Sequence, residues 1–176
     1  IWEGMNAAGN ASFFPDQLTG EHPLNTWQVK KIFSGGSTAG TGGTTATIGR
    51  YLRYKQHATR LSVADVERSA FFDGFATHDT NCRCERPSRI EGIGRPRVEP
   101  SFVPGVIDHM LRVPDDVSLA AMRVLSRRVG RRVGGSTGTN FIALCFHAAR
   151  LIAAGETGSL VTLICDSGER YANTYY

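Results

Sequence analysis

Apolar residues along this 176-residue chain alternate between two periods, and the alternation predicts layered helices and strands. Ile48, Tyr51 and Leu52 form a helical stripe within residues 45–57, and residues 60–66, Arg-Leu-Ser-Val-Ala-Asp-Val, then read as a strand. Polar, turn-forming composition over 77–88 predicts a loop, residues 104–110 a short helix or turn, and residues 111–113 a brief strand. Asp115, Asp116 and Ser118 supply charge and a cap for a helix over 119–129. The most apolar helix spans 140–154. Its apolar positions cover nearly every side, which predicts burial, and Gly155 is placed to stop it. Residues 159–165, Ser-Leu-Val-Thr-Leu-Ile-Cys, read as a buried parallel strand, followed by a turn over 166–171.

Two glycine-rich turns punctuate this pattern at helix entrances. Gly40-Thr41-Gly42-Gly43-Thr44 precedes the first helix, and 134–139, Gly-Gly-Ser-Thr-Gly-Thr, precedes the apolar one. Glycines let backbone amides converge, and a helix N-terminus adds partial positive charge, so the first turn describes a cradle for a phosphate. It lacks the Gly-Lys-Ser/Thr ending of a nucleotide P-loop and does not complete Gly-x-Gly-x-x-Gly. Ligands of open parallel sheets gather at the carboxyl ends of strands, so one cofactor held between the two turns is expected.

With 41% hydrophobic residues the chain can build one core. The net charge of +4 is concentrated at Arg127-Arg128 and Arg131-Arg132, whose alternation with apolar residues describes the solvated last turn of a helix; no nucleic-acid partner is expected. Four cysteines and no apolar run of membrane-spanning length point to a reducing, cytoplasmic setting without a membrane partner, with Cys145 and Cys165, inside apolar runs, acting as small hydrophobes. His78, Cys82 and Cys84 lack zinc-site spacing, so no metal site is assigned.

Four segments together resemble one family. Residues 40–44, 90–94 (Ile-Glu-Gly-Ile-Gly), 134–138 (Gly-Gly-Ser-Thr-Gly) and 165–171 (Cys-Asp-Ser-Gly-Glu-Arg-Tyr) are similar in order and spacing to the second half of cysteine synthase and cystathionine β-synthase type pyridoxal-phosphate enzymes. Residues 89–106 and 131–140 are most like the cysteine desulfhydrase subgroup. The resemblance implies an α/β fold of type II, an open, mostly parallel twisted sheet flanked by helices. Residues 1–176 would form the carboxyl-terminal portion of a tryptophan synthase β-like domain.

It further implies pyridoxal 5'-phosphate as cofactor, its phosphate held by Gly40, Thr41, Gly42, Gly43 and Thr44 and its pyridine nitrogen met by the Ser136 hydroxyl. Gly92, Ile93 and Gly94 would line the substrate side, and Asp166 would either reach the pyridine end or cap its turn. The implied reaction is β-elimination or β-replacement on cysteine or an O-acylserine, with a small amino acid as substrate and a homodimer as the intact enzyme.

Three departures accompany the resemblance. The family's Schiff-base lysine belongs to its first half, and the lysines here are Lys30, Lys31 and Lys55, none in a matching context. No catalytic residue is therefore assigned, and the chain alone is expected to be inactive; a non-catalytic remnant or partner-binding fragment that keeps the phosphate site is the alternative. The run before the glycine loop, Ile32-Phe33 followed by 34–39 (Ser-Gly-Gly-Ser-Thr-Ala), is too poor in apolar residues for the expected central strand. Residues 73–88 follow no part of the family pattern.

Overall fold

The computed structural model describes residues 40–176 in full and the backbone of residues 32–35. Among the described residues four parallel strands form one sheet in the order β3-β2-β1-β4: β1 (Ile32–Gly35), β2 (Arg60–Val66), β3 (His109–Val113) and β4 (Ser159–Thr162). Helix α1 (Gly43–Tyr54) joins β1 to β2, α2 (Ala70–Thr77) follows β2, and α3 (Asp115–Val129) and α4 (Gly135–Ala153) precede β4. Single-turn helices occupy Pro104–Val106 and Gly168–Tyr171.

β2 occupies the bounds its sequence predicts and is buried on both faces. Leu61 and Val63 face one side, where Leu61 packs with Ile48 and Leu52 of α1, and Val63 with Phe71, Phe102, Ile107 and Met110. Phe71 and Phe102 stack with ring centroids 4.5 Å apart. Ser62 and Val66 face the other side; Val66 packs with Ile90, Ile93, Leu119, Met122 and Val133, while Ser62 meets His147 of α4. Alternation along one strand thus feeds apolar clusters on both faces of the sheet, two on one side and one on the other.

β1 departs from expectation. Its four residues occupy an interior position, paired in parallel with β2 through Phe33↔Arg60 and with β4 through Phe33↔Leu160. Ladder pairing is a property of the backbone, and none of Ile, Phe, Ser and Gly lacks an amide donor, so poverty of apolar residues does not exclude a central place.

α3 begins four residues before the expected start, at Asp115, with Pro114 as N-cap. Asp115 and Asp116 place charge in its first turn as expected, but Ser118 does not cap it. Asp115 is buried and accepts from Ser88 Oγ at 2.9 Å and Arg89 N at 2.7 Å, while Ser118 Oγ accepts from Thr139 Oγ1 at 2.9 Å. Arg127 and Arg128 fall in the last turn, as their pattern predicts.

α4 starts inside the glycine-rich turn, at Gly135 rather than Asn140. Its buried stripe is Gly135–Asn140, Ala143, His147 and Leu151, whereas Phe146 is 42% and Ile152 79% exposed, correcting the expectation of an all-round buried helix. Small residues decide the packing: a Cβ on Gly138 would lie 2.0 Å from the Ser118 carbonyl oxygen of α3. Gly155 follows the C-cap Ala154 with φ +62°, as a stop signal should. Cys145 and Cys165 are exposed, not core hydrophobes. β4 is shorter than its apolar run and half-buried, because it forms the sheet edge among the described residues. α2 was not legible as a helix. Ser69, which caps it by accepting from Phe71 N at 3.3 Å, and Asp73 in its first turn were the available signals.

Candidate functional site

Both glycine turns belong to the carboxyl edge of the sheet. Residues 40–42 lie between the end of β1 and the start of α1, and the N-terminus of α4 is tied to the segment leaving β4. There Asn140 Nδ2 donates to the Leu163 carbonyl at 3.1 Å, Cys165 N donates to Thr137 Oγ1 at 3.1 Å, and Gly134 N donates to the Asp166 carbonyl at 3.3 Å.

The first turn has a backbone only glycine tolerates. Gly42 is the N-cap of α1 at φ +89°, and a Cβ there would lie 2.7 Å from the Phe102 Cα. The first helical bond runs from Ala46 N to Gly42 O at 2.9 Å, so the amides of Gly43 and Thr44 lie ahead of the helix's own ladder. No side chain caps this end and no acid occupies its first turn, which leaves the positive end of the helix without a competing carboxylate. Two side chains that sequence reasoning missed hold the turn from outside: Arg95 Nε donates to the Gly40 carbonyl, and Ser101 Oγ donates to the Thr41 carbonyl at 2.6 Å.

Arg95 closes the segment containing Gly92, Ile93 and Gly94, which runs between the two turns. At one end a Cβ on Gly40 would meet the Gly92 carbonyl oxygen at 3.1 Å; at the other a Cβ on Gly135 would meet Ile90 Cγ2 at 3.0 Å. Gly92 and Gly94 have φ of +84° and +79°, and Ile93 is buried beneath them. Tyr175 staples the segment: its hydroxyl donates to the Arg89 carbonyl at 2.8 Å and accepts from Glu91 N at 2.9 Å. Nothing in the sequence around Tyr175 announces that role.

Ser136 is 8% exposed in the first turn of α4, and its hydroxyl makes no hydrogen bond among the described residues. Beside it, Asp166 Oδ1 is buried with no partner and would be 1.8 Å from a Cβ on Gly134, while Oδ2 accepts from the Tyr171 hydroxyl at 2.7 Å. Burial first, and then the Asp166 carboxylate, push the Tyr171 phenol upward from its usual range, so Tyr171 stays a donor. Lys55 is the C-cap of α1, at the far end of that 12-residue helix, about 18 Å from the glycine turn. Lys30 and Lys31 lie outside the described residues.

Residues 37–166 match the family described as pyridoxal-phosphate dependent enzyme. The chain belongs to this family. Pyridoxal 5'-phosphate is therefore its cofactor class, and the family match covers both glycine turns and the segment between them. Over 175 residues the chain is 50% identical to the L-cysteine desulfhydrase Cds1 of Mycobacterium tuberculosis, covering 99% of this chain and 45% of that protein. It is 29% identical over 198 residues to cysteine synthase 2 of Neurospora crassa, covering 99% of this chain and 43% of that one. A solved structure of O-acetylserine dependent cystathionine beta-synthase from Helicobacter pylori superposes with TM-score 0.67 at 28% identity, over 94% of this chain and 50% of that one. The O-acetyl serine sulfhydrylase isoform 3 of Entamoeba histolytica, 22% identical, shares the fold with TM-score 0.69 over 93% of this chain and 43% of its own. The expected α/β architecture of type II is thereby established, and the chain spans about half or less of the length of these family members.

Proposed function

We propose that this chain is the cofactor-holding portion of an enzyme that eliminates or replaces the β-substituent of cysteine or an O-acylserine. The observation that carries the reading is the segment 90–95 touching both glycine turns, Gly40 at one end and Gly135 at the other. The residues fit the cofactor: a glycine cradle at a helix N-terminus without a carboxylate, and at the other turn a serine hydroxyl without a partner.

In this reading the amides of Gly42, Gly43 and Thr44 bind the phosphate, with Gly40 and Thr41 shaping the loop. Ser136 donates its hydroxyl proton to the pyridine nitrogen. Because a hydroxyl is a far weaker acid than a carboxylic acid, that nitrogen stays unprotonated. Bound pyridoxal phosphate supplies an electron sink for charge developing at the substrate α-carbon, which permits loss of the β-group. Gly92, Ile93 and Gly94 offer backbone groups to the substrate side, and Tyr175 holds them at fixed height. Lys55 is too remote to serve as base, and the reading assigns that role to a lysine in the other half of the intact enzyme. A small amino acid as substrate, a homodimer as the intact assembly and a reducing cytoplasmic setting complete the proposal. None of the four cysteines forms a disulfide, and no helix among the described residues is long and apolar enough to cross a membrane.

Titrating the chain with pyridoxal 5'-phosphate and with pyridoxal, followed by cofactor fluorescence, tests the cradle. The phosphorylated form is expected to bind at least about tenfold more tightly, a preference that Gly42→Ala abolishes by strain at φ +89°. Ser136→Ala is expected to alter the cofactor spectrum and leave the preference intact. Equal affinity for both forms, or a Gly42→Ala variant that keeps the preference, would overturn the reading. So would cofactor fixed to this polypeptide by borohydride. In the intact enzyme, sulfide release from L-cysteine against cysteine formation from O-acetylserine and sulfide separates the two reaction types.

A further inference from the structure

The amino edge of the sheet carries a second concave site that the cofactor reading does not use. A cavity of about 400 Å³ opens there between the starts of β2 and β3 and the last turns of α4. The positions His147, Arg150, Leu151 and Ala154 share one helical stripe and face Arg60, Ser62 and His109 across it. β2 is seven residues long, so this cavity lies about 20 Å from the end of the strand where Val66 meets Gly94.

Its chemistry is that of an anion receptor. The Arg60 guanidinium makes no hydrogen bond or ion pair among the described residues, and the Arg150 guanidinium has no carboxylate partner among them, approaching His109 Nε2 at 3.4 Å and the Phe146 ring. A guanidinium only donates, so His109 Nε2 accepts and the ring proton sits on Nδ1, which is buried with no partner. His147, 3% exposed, shares a 2.7 Å hydrogen bond with Ser62 Oγ and stands edge-on to the His109 ring, centroids 5.1 Å apart. Burial and the neighbouring cations lower both imidazoles from their ordinary range, leaving them neutral at pH 7. Of the two acids lining the cavity, Asp108 is engaged by Arg53 Nη2 and Leu61 N, each at 2.7 Å, and Glu156 is exposed to screening solvent. Two arginines with no carboxylate partner among the described residues, set beside buried His147 and half-buried His109, form an anion-accepting pocket of metabolite size.

We propose that this cavity is a second binding site, taking a small oxyanionic metabolite whose phosphate or carboxylate group is gripped by Arg60 and Arg150 over the His109–His147 pair. The site is separate from the cofactor cradle and stands whether or not the cofactor reading holds. β2 and α4 both run from this cavity to the cofactor edge, so occupancy has a direct mechanical route to the Gly135–Thr137 turn.

The test follows the imidazole Cε1–H resonances of His109 and His147 by NMR, two reporters at the amino edge of the sheet about 20 Å from the cradle. Inorganic phosphate and succinate are the probes, and chloride holds the ionic strength constant. A saturable shift of the His109 signal with one or both probes is expected, and the stronger probe identifies whether phosphate or dicarboxylate is the preferred class. Arg60→Gln is expected to weaken binding severalfold, and Arg60→Gln with Arg150→Gln at least about tenfold, with Arg150→Lys restoring part of it. Arg60 is exposed and contacts nothing that holds the fold, so its substitution reads binding alone. Absence of a saturable shift with either probe, equal shifts with chloride alone, or unchanged affinity in the double variant would overturn the proposal.

Discussion

Placing a methyl group on Gly138 attacks the joint on which the second turn depends. Here α3 and α4 approach so closely that the added Cβ would stand 2.0 Å from the Ser118 carbonyl oxygen, 2.8 Å from Met122 Cβ and 2.8 Å from Met122 N. A normal carbon–oxygen contact is about 3.3 Å, so the helices must separate by more than 1 Å, far beyond what a soft side chain gives. Separation loses the 2.9 Å bond from Thr139 Oγ1 to Ser118 Oγ, about 1 kcal/mol, and loosens fully buried Met122, adding about 1–3 kcal/mol of packing strain. Gly138→Ala is therefore expected to destabilise by about 2–4 kcal/mol, measured as a lowered urea midpoint at unchanged slope, with a melting temperature lower by roughly 5–15 °C. Gly105→Ala is the control, because a Cβ there meets nothing within 4 Å. If the two variants unfold within about 0.5 kcal/mol of each other, the helices are not held by glycine contact and the account of α4 is wrong.

Acid behaviour gives a further expectation. Burial raises Asp65 to about 6, against the amide donors Phe72 N and Val66 N that favour its charged form. The folded state then holds a proton that the unfolded state releases near 3.8, so its contribution to stability is full below about pH 4 and is lost as pH rises to about 6, on the order of 2–3 kcal/mol. His147 works in the opposite direction: burial lowers it to about 4, so its contribution is lost as pH falls from about 6.5 toward 4. Denaturant titrations across this window should show the Asp65 slope vanish in Asp65→Asn; a wild-type slope in that variant contradicts the assignment. Association is the last. Phe146 and Ile152 project from α4 at 42% and 79% exposure, so concentration-dependent self-association in sedimentation velocity is expected to fall with Ile152→Lys while the unfolding midpoint holds. Equal association of the two proteins rules that face out.

Legibility in the sequence followed how local the physics was. β2 could be read to its terminal residues because Leu61, Val63 and Val66 are unmistakable in any context, and Gly42 declared its turn because few other residues adopt that backbone. The helix over 140–154 was recognised but its burial was not: hydrophobicity on all sides reports what could be covered, and Ile152 and Phe146 show what is left uncovered among the described residues. Gly135–Thr139 read as a turn because glycine and threonine are poor helix formers, yet close packing against Ser118 and Met122 selects small residues and overrides that preference. Arg95, Ser101 and Tyr175 were invisible as site residues since their partners are carbonyl and amide groups, which one-dimensional pattern cannot name. Asp115 does stand as a charge in the first turn of α3, but its partners, 26 and 27 positions upstream, could not be named for the same reason.

The short β1 strand has a disproportionate mechanical role. Among the described residues β4 is bonded within the sheet to β1 alone, so three or four rungs from Ile32 to Gly35 splice the β2–β3 pair to the strand that leads to Leu163, Cys165 and Asp166. A proline at 33 or 34 would unzip that seam, leaving the lone slat suspended from α4 by its side-chain ties. Two of the least conspicuous letters in the chain, Ser34 and Gly35, thereby decide whether the two glycine turns move as one body or as two.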